Sequence, residues 1–133
     1  MKVEKISLKT SERNEFIDIT GKIRDIISKS NVKSGIAVIY TPHTTAGITI
    51  NENADPSVKK DISDFLKRKI PYHGDYKHME GNADAHIKST LAGCSETVII
   101  ENNKVILGTW QGIFFCEFDG PRRREVWVKI IEG

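Results

Sequence analysis

The chain has only two cysteines, Cys94 and Cys116. They sit in different segments without C-x-x-C spacing, so both are expected as reduced thiols in a cytoplasmic protein, with a disulfide as the alternative. No apolar run approaches the ~20 residues of a membrane-spanning helix. The opening stretch, Met1-Lys2-Val3-Glu4-Lys5-Ile6, alternates charged and apolar residues and lacks a signal-peptide core. No membrane partner is therefore expected. Charge of one sign is also scarce. Lys and Arg total 20 against 18 Asp and Glu, a net charge of +2, so no global field draws in nucleic acid and an anion must be held by a local cluster. Walker, G-x-G-x-x-G and G-x-S-x-G motifs are missing, which withdraws the usual support for P-loop, dinucleotide and Ser-His-Asp chemistry. Repeats and Gly/Ser linkers are missing too, and 133 residues is an ordinary length for a single domain. Hydrophobic residues at 38% and charged residues at 29% mark a soluble globular chain.

What is present is a run of alternating and helical patterns. Residues 3–9 read as a strand with Ile6 and Leu8 on one face, and residues 16–19 as a short second strand. Thr20 offers an N-cap to a helix near 21–30, striped by Ile23, Ile26 and Ile27. Residues 34–40 read as a central, buried strand, broken by Thr41-Pro42-His43 and resumed over 46–51. Asp55-Pro56 is an N-cap followed by proline at the first helical position, which predicts a helix to about Lys69 with Val58, Ile62, Phe65 and Leu66 on one face. Residues 71–81 form an aperiodic loop of the length that carries function in small domains. Asn82 can cap a further helix to about Leu91, with Gly93 as its left-handed stop. Strands follow at 98–100 and 105–107 around an Asn102-Asn103 turn, then at 113–118. After Asp119-Gly120-Pro121 a last strand at 125–131 mixes polar and apolar residues as an edge or interface strand does. This order predicts an α+β fold: an antiparallel sheet cradle or sandwich with two or three helices in a single domain over residues 1–133.

Four stretches carry candidate chemistry. His43, in Thr41-Pro42-His43-Thr44-Thr45, stands at a strand end, either aimed into a cleft or serving as a plain turn residue. His78 lies on the long loop, and His86 follows Asn82 by four residues on a helix, with Glu80 and Asp84 as spare carboxylates. Three imidazoles from separate segments can hold a divalent metal, Zn or Mg, and leave a position open for water or substrate, with a second partner such as Asn51, Asn82 or Asp84 fixing the tautomer. Capping or surface roles for His78 and His86 are the alternative. Gly108-Thr109-Trp110-Gln111-Gly112 suggests a bulge in which Gln111 orients a ligand and Trp110 either does the same or fills core. Arg122-Arg123-Arg124 is the densest positive spot. Arg122, and less directly Arg124, suits phosphate, although consecutive strand residues point to opposite faces; a solvated charge run or an intersubunit ion pair with Glu117 or Asp119 is the alternative.

The pieces His43-Thr44-Thr45, Ile50-Asn51-Glu52-Asn53 with Asp55-Pro56, Gly81-Asn82-Ala83-Asp84-Ala85-His86, Gly108-Thr109-Trp110-Gln111 and Cys116-Glu117-Phe118-Asp119-Gly120-Pro121-Arg122 together resemble the YjbQ family (UPF0047), also labelled secondary thiamine-phosphate synthase. The likeness covers nearly the whole chain. It implies an α+β fold, a homotrimer with clefts near subunit contacts, and a site built from His43, His78 and His86 with Asn51, Asn82 and Asp84 close by. It also implies a transferase that joins a pyrimidine methyl diphosphate to a thiazole phosphate and expels pyrophosphate. Metal-dependent hydrolysis of a phosphorylated metabolite, and a non-catalytic metal- or anion-binding module, are the competing functions.

Overall fold

In a computed structural model describing residues 2–133, the chain runs β1 (Glu4–Lys9), β2 (Glu15–Asp18), α1 (Thr20–Ser30), β3 (Ser34–Tyr40), β4 (Ala46–Glu52), α2 (Pro56–Lys69), α3 (Ala83–Ala92), β5 (Ser95–Glu101), β6 (Lys104–Ile106), β7 (Gln111–Glu117) and β8 (Arg123–Glu132). Two antiparallel sheets result, ordered β1-β8-β3-β5-β6 and β2-β7-β4. The period-2 alternation of each strand turns one face inward. Ile6, Ala37, Ile39, Val98 and Val126 of the large sheet meet Ile48, Ile113 and Phe115 of the small one, and Ile23 and Ile27 of α1 complete the same core. The fold is α+β, as the pattern predicts.

Several local expectations change in detail. Thr20 is the first helical residue and not the cap. Asp18 does the capping work, accepting from Thr20 N at 2.9 Å and Thr20 Oγ1 at 2.6 Å, while Thr20 Oγ1 accepts from Ile113 N at 2.8 Å and ties α1 to β7. At α2 the prediction holds: Asp55 accepts from Ser57 N at 2.9 Å and Pro56 begins the helix. None of its residues is fully buried, however, and Phe65 is 50% exposed. Asn102 and Asn103 both take positive φ in the β5–β6 turn, as the hairpin reading requires. Gly93 ends α3 at φ 88 and ψ 159, a glycine-favoured conformation but not the left-handed helical one.

Strand β8 is not an edge, because it pairs with both β1 and β3. Its mixed pattern reflects a sheet whose second face is open. On that face Ile131, Ile36, Ile99 and Ile106 lie in register across four neighbouring strands, all exposed. Tyr40 and Trp127 make a second apolar row, ring centroids 5.9 Å apart. Strand β3 is therefore central but buried on one face only.

Helix α3 meets β4 at a glycine. A Cβ on Gly47 would stand 2.8 Å from both Ala92 Cβ and Gly93 O, and Ile48 N donates to Gly93 O at 3.0 Å. Gly47→Ala is expected to force the end of α3 away from β4 at a cost of about 1–3 kcal/mol, read as a lowered Cm in urea unfolding with an unchanged m-value.

Candidate functional site

The β3–β4 connection is fixed before it is functional. Thr41 is buried, donates its N–H to Cys94 O at 2.9 Å and places its hydroxyl 3.3 Å from Glu125 O. Two residues on, His43 Nε2 accepts the Glu125 N–H at 2.9 Å. An accepting Nε2 puts the ring proton on Nδ1, so His43 presents an N–H donor. Burial, and next the positive charge of Arg124, hold its pKa below the ordinary 6.5, against a smaller upward pull from Glu117 and Glu125. The ring is therefore neutral at pH 7.

Behind it stands a frame of paired charges. Glu117 is fully buried and accepts from Thr10 Oγ1 at 2.7 Å, Asp119 N at 3.0 Å, and Arg124 Nε and Nη2. Arg124 Nη2 also donates to Thr45 Oγ1 at 2.8 Å. Asp119 accepts from Arg13 Nη1 at 2.9 Å, Asn82 Nδ2 at 2.9 Å and Arg122 Nη2 at 3.0 Å. Arg13 reaches on through Nη2 to Asp84 at 2.9 Å, and its guanidinium lies 3.5 Å from the Tyr72 ring centroid. Asp84 is fully buried and also receives Lys88 Nζ at 3.1 Å.

Within this frame His43, Thr45, Asn82, His86, Arg122 and Arg124 line one open pocket of about 300 Å³, with Glu80 at its margin. His78 joins through His86: the rings meet edge to face, centroids 5.2 Å apart, and His78 Nε2 lies 3.8 Å from Glu80 Oε2. Asn82 occupies the cap position of α3, yet its side chain turns to Asp119 instead of the helix N–H groups, and its Oδ1 is buried with no hydrogen-bond partner among the described residues. An orphaned acceptor of this kind calls for a donor from whatever enters the pocket.

Other predicted residues lie elsewhere. Asp84 sits beneath the pocket as the anchor of Arg13 and Lys88. Asn51 and Gln111 fall at the far end of the β4–β7 ladder, where Asn51 pairs with Gly112 and Glu52 with Gln111, whereas Ala46 pairs with Glu117 beside Arg124. Five strand residues place them roughly 17 Å away. There Asn51 Oδ1 accepts its neighbour Glu52 N and Gln111 Oε1 accepts Gly108 N at 2.8 Å, while Trp110 is 62% exposed and fills no core. The three arginines part company: Arg124 goes inward to Glu117, Arg122 to Asp119 and Arg123 outward, so the carboxylates named are the partners of two of them, but the pairs form within one chain and not between subunits.

The histidine metal centre fits poorly. Among the described residues no three His, Cys, Asp or Glu side chains group closely enough to hold an ion. The reason at His43 is local: Nε2 is committed to Glu125 N–H, and Nδ1 carries the proton. Both cysteines are free. Burial pushes the Cys116 thiol up to about 12, which keeps it inert, and Cys94 is exposed.

Arg13 and Lys88 are the site-supporting residues that sequence reading passes over. Lys88 had a signal, an i,i+4 pairing with Asp84; Arg13 had none, because its partners are 71 and 106 residues away.

Asp84→Ala leaves Lys88 buried without its counter-ion, an expected loss of about 3–5 kcal/mol in chemical denaturation. For His43, ¹⁵N NMR is expected to show the Nδ1–H tautomer and a titration midpoint below 6.5. The sign follows: with the folded pKa depressed, the unfolded chain binds the proton first, so His43 removes stability as pH falls from about 6.5 toward its folded midpoint. His43→Gln, which keeps an acceptor for Glu125 N–H, should flatten that part of the stability–pH curve.

Residues 4–133 match the model of the UPF0047, YjbQ-like protein family. UPF0047 protein MJ1081 of Methanocaldococcus jannaschii is 66% identical over 127 residues, covering 96% of this chain and 92% of that protein. UPF0047 protein YugU of Bacillus subtilis is 52% identical, covering 95% and 96%. Two crystal structures superpose with a TM-score of 0.94: an uncharacterised YjbQ/UPF0047 protein of Clostridium acetobutylicum, 58% identical over 96% of this chain and 99% of that one, and a protein of unknown function from Sulfolobus solfataricus, 33% identical over 99% and 97%. With a family model spanning almost its full length and relatives this similar, the chain belongs to the UPF0047 (YjbQ-like) family.

Proposed function

We propose that the His43–His86–Arg122–Arg124 pocket binds the phosphate of a small molecule and acts on it as a phosphate-handling enzyme. The observation that carries this is the presence of two imidazoles and two guanidiniums on the wall of one pocket. Arg124 bonds the Glu117 carboxylate through Nε and Nη2, and Arg122 bonds the Asp119 carboxylate through Nη2 and the Asp119 backbone oxygen through Nε, leaving Nη1 of each without an acceptor among the described residues. Thr45 accepts from Arg124, so its own proton is available to an anion, and the neutral His43 offers Nδ1–H. Charge-assisted donors converging in this way suit phosphate oxygens.

The reaction to try first is the one that the family resemblance implies. The thiazole nitrogen attacks the pyrimidine methylene carbon, the C–N bond forms, the C–O bond breaks and pyrophosphate departs with the electron pair. No proton transfer is needed at the bond-forming atoms. The protein's contribution is then donors on the departing oxygens and exclusion of water. Mg²⁺ belongs in that assay as the counter-ion of the diphosphate. Hydrolysis of a phosphate ester is the second reading, favoured by the His78–His86 contact and by Glu80 within 3.8 Å of His78, which together give a candidate base for an attacking water. The names of the relatives carry no activity, so the site itself supports these readings.

His86→Ala should leave the fold intact and lower turnover in the hydrolysis assay by about 10²-fold or more. Unchanged turnover removes His86 from the chemistry. Arg122→Gln should weaken phosphate binding in calorimetry by about tenfold. Self-association, a homotrimer by family resemblance, is proposed through the open Ile36–Ile99–Ile106–Ile131 row. Sedimentation of Ile99→Lys should show a smaller particle than the parent, and an unchanged mass assigns the contact to another face.

A further inference from the structure

A second pocket of about 480 Å³ opens on the other side of His43, between β1 and β8, and includes Lys9, Arg123 and Arg124. His43 and Arg124 thus form the wall between this pocket and the one described above. Lys9 and Arg123 are direct cross-strand partners, both exposed, and neither has an ion pair or hydrogen bond among the described residues. Like charges placed directly opposite on neighbouring strands destabilise a sheet, and every other arginine near the site has been given a carboxylate or an aromatic ring. The carboxylate that shares this pocket, Glu125, accepts from Trp127 Nε1 at 2.9 Å and pairs with neither cation. Lys5, the next cation on β1, is placed over Trp127 with Nζ 5.1 Å from a ring centroid.

We infer that Lys9 and Arg123 form a second anion subsite, so that the ligand of this protein carries two anionic groups, one on each side of the His43 ring. This rests on the phosphate-binding reading above and assigns the second anionic group, on the same molecule or on a reacting partner, to a named pair of cations. His43, with Nδ1–H as donor, stands between the two groups, where a bridging or reacting atom would lie. Strand geometry also explains why three consecutive arginines are useful: alternation sends Arg123 to the face opposite that of Arg124, so adjacent residues serve adjoining pockets.

The test is calorimetric titration at fixed ionic strength with inorganic phosphate and with ethylene, trimethylene and tetramethylene bisphosphonates. At least one bisphosphonate should bind about tenfold or more tightly than phosphate. In Lys9→Gln/Arg123→Gln that advantage should vanish while phosphate affinity stays at the parent value, both positions being exposed and off the first pocket. In Arg122→Gln both probes should weaken. If phosphate binds the parent protein and no bisphosphonate does better, the second subsite is overturned and the first pocket stands. If neither probe binds, the phosphate reading falls and takes the subsite with it. Circular dichroism of each variant confirms that the fold is retained.

Discussion

The buried Glu117–Arg124 pair is the constraint on which the site depends. Glu117 ends β7 and Arg124 is the second residue of β8, so their contact closes the turn through Gly120–Pro121. Thr10 Oγ1 brings the end of β1 to the same carboxylate. Through Nη2, Arg124 also reaches Thr45 at the entrance to β4. Both sheets therefore meet at one ionic centre. Replacing such a pair with apolar side chains of equal volume is often neutral or better for stability. Its value here is positional: an apolar core at this point would still join the sheets but would not set a guanidinium edge beside an imidazole.

A second ionic chain does the same for the helical side. Arg13 joins Asp119 to Asp84, Lys88 neutralises Asp84, and Asp119 holds Asn82 and Arg122. Each carboxylate in this chain has at least one cation, and each cation at least one carboxylate, so burial is tolerable. The two chains touch through the Asp119 N–H on Glu117. Loop residues His78 and Glu80 are held through the His78–His86 ring contact and the Asn82–Asp119 bond, and Tyr72, earlier in the loop, lies under Arg13. Arg124 thus stands on a strand, while His78 stands on a loop, and loops are the more mobile elements of a fold.

The sequence was most legible where one rule acts alone. Period-2 alternation located the strands, Asp55-Pro56 located α2, and Asn102-Asn103 located a hairpin, because each depends on neighbours in the chain. It was least legible where a side chain has two competing uses. Asn82 is a good cap, but Asp119 outbids the helix N–H groups for its amide. Thr20 is a good cap too, but Asp18 accepts its N–H and hydroxyl while Ile113 N takes its oxygen. The grouping of His43, His86, Asn82 and Arg122 was anticipated; the inclusion of Asn51 and Gln111 was not borne out within one chain, since motif order says nothing about which end of a ladder a residue occupies. Arg13 could not be found locally, because its role is defined entirely by partners from distant segments.

Neutrality of His43 links the frame to the chemistry. A protonated ring would present a donor to the Glu125 N–H and would add a positive charge beside Arg124, so both the backbone contact and the guanidinium oppose it. A neutral ring held in this way cannot use Nε2 as a base, and its Nδ1 cannot accept a proton without losing that backbone bond. In the proposed hydrolysis a base would therefore have to come from His86, His78 or Glu80, while His43 has an N–H to donate. The division follows from a single hydrogen bond to a strand N–H. It ties the function of the β3–β4 turn to the register of β8: shifting β8 by one residue would turn a different amide toward the ring and exchange the faces of Arg123 and Arg124 at the same stroke.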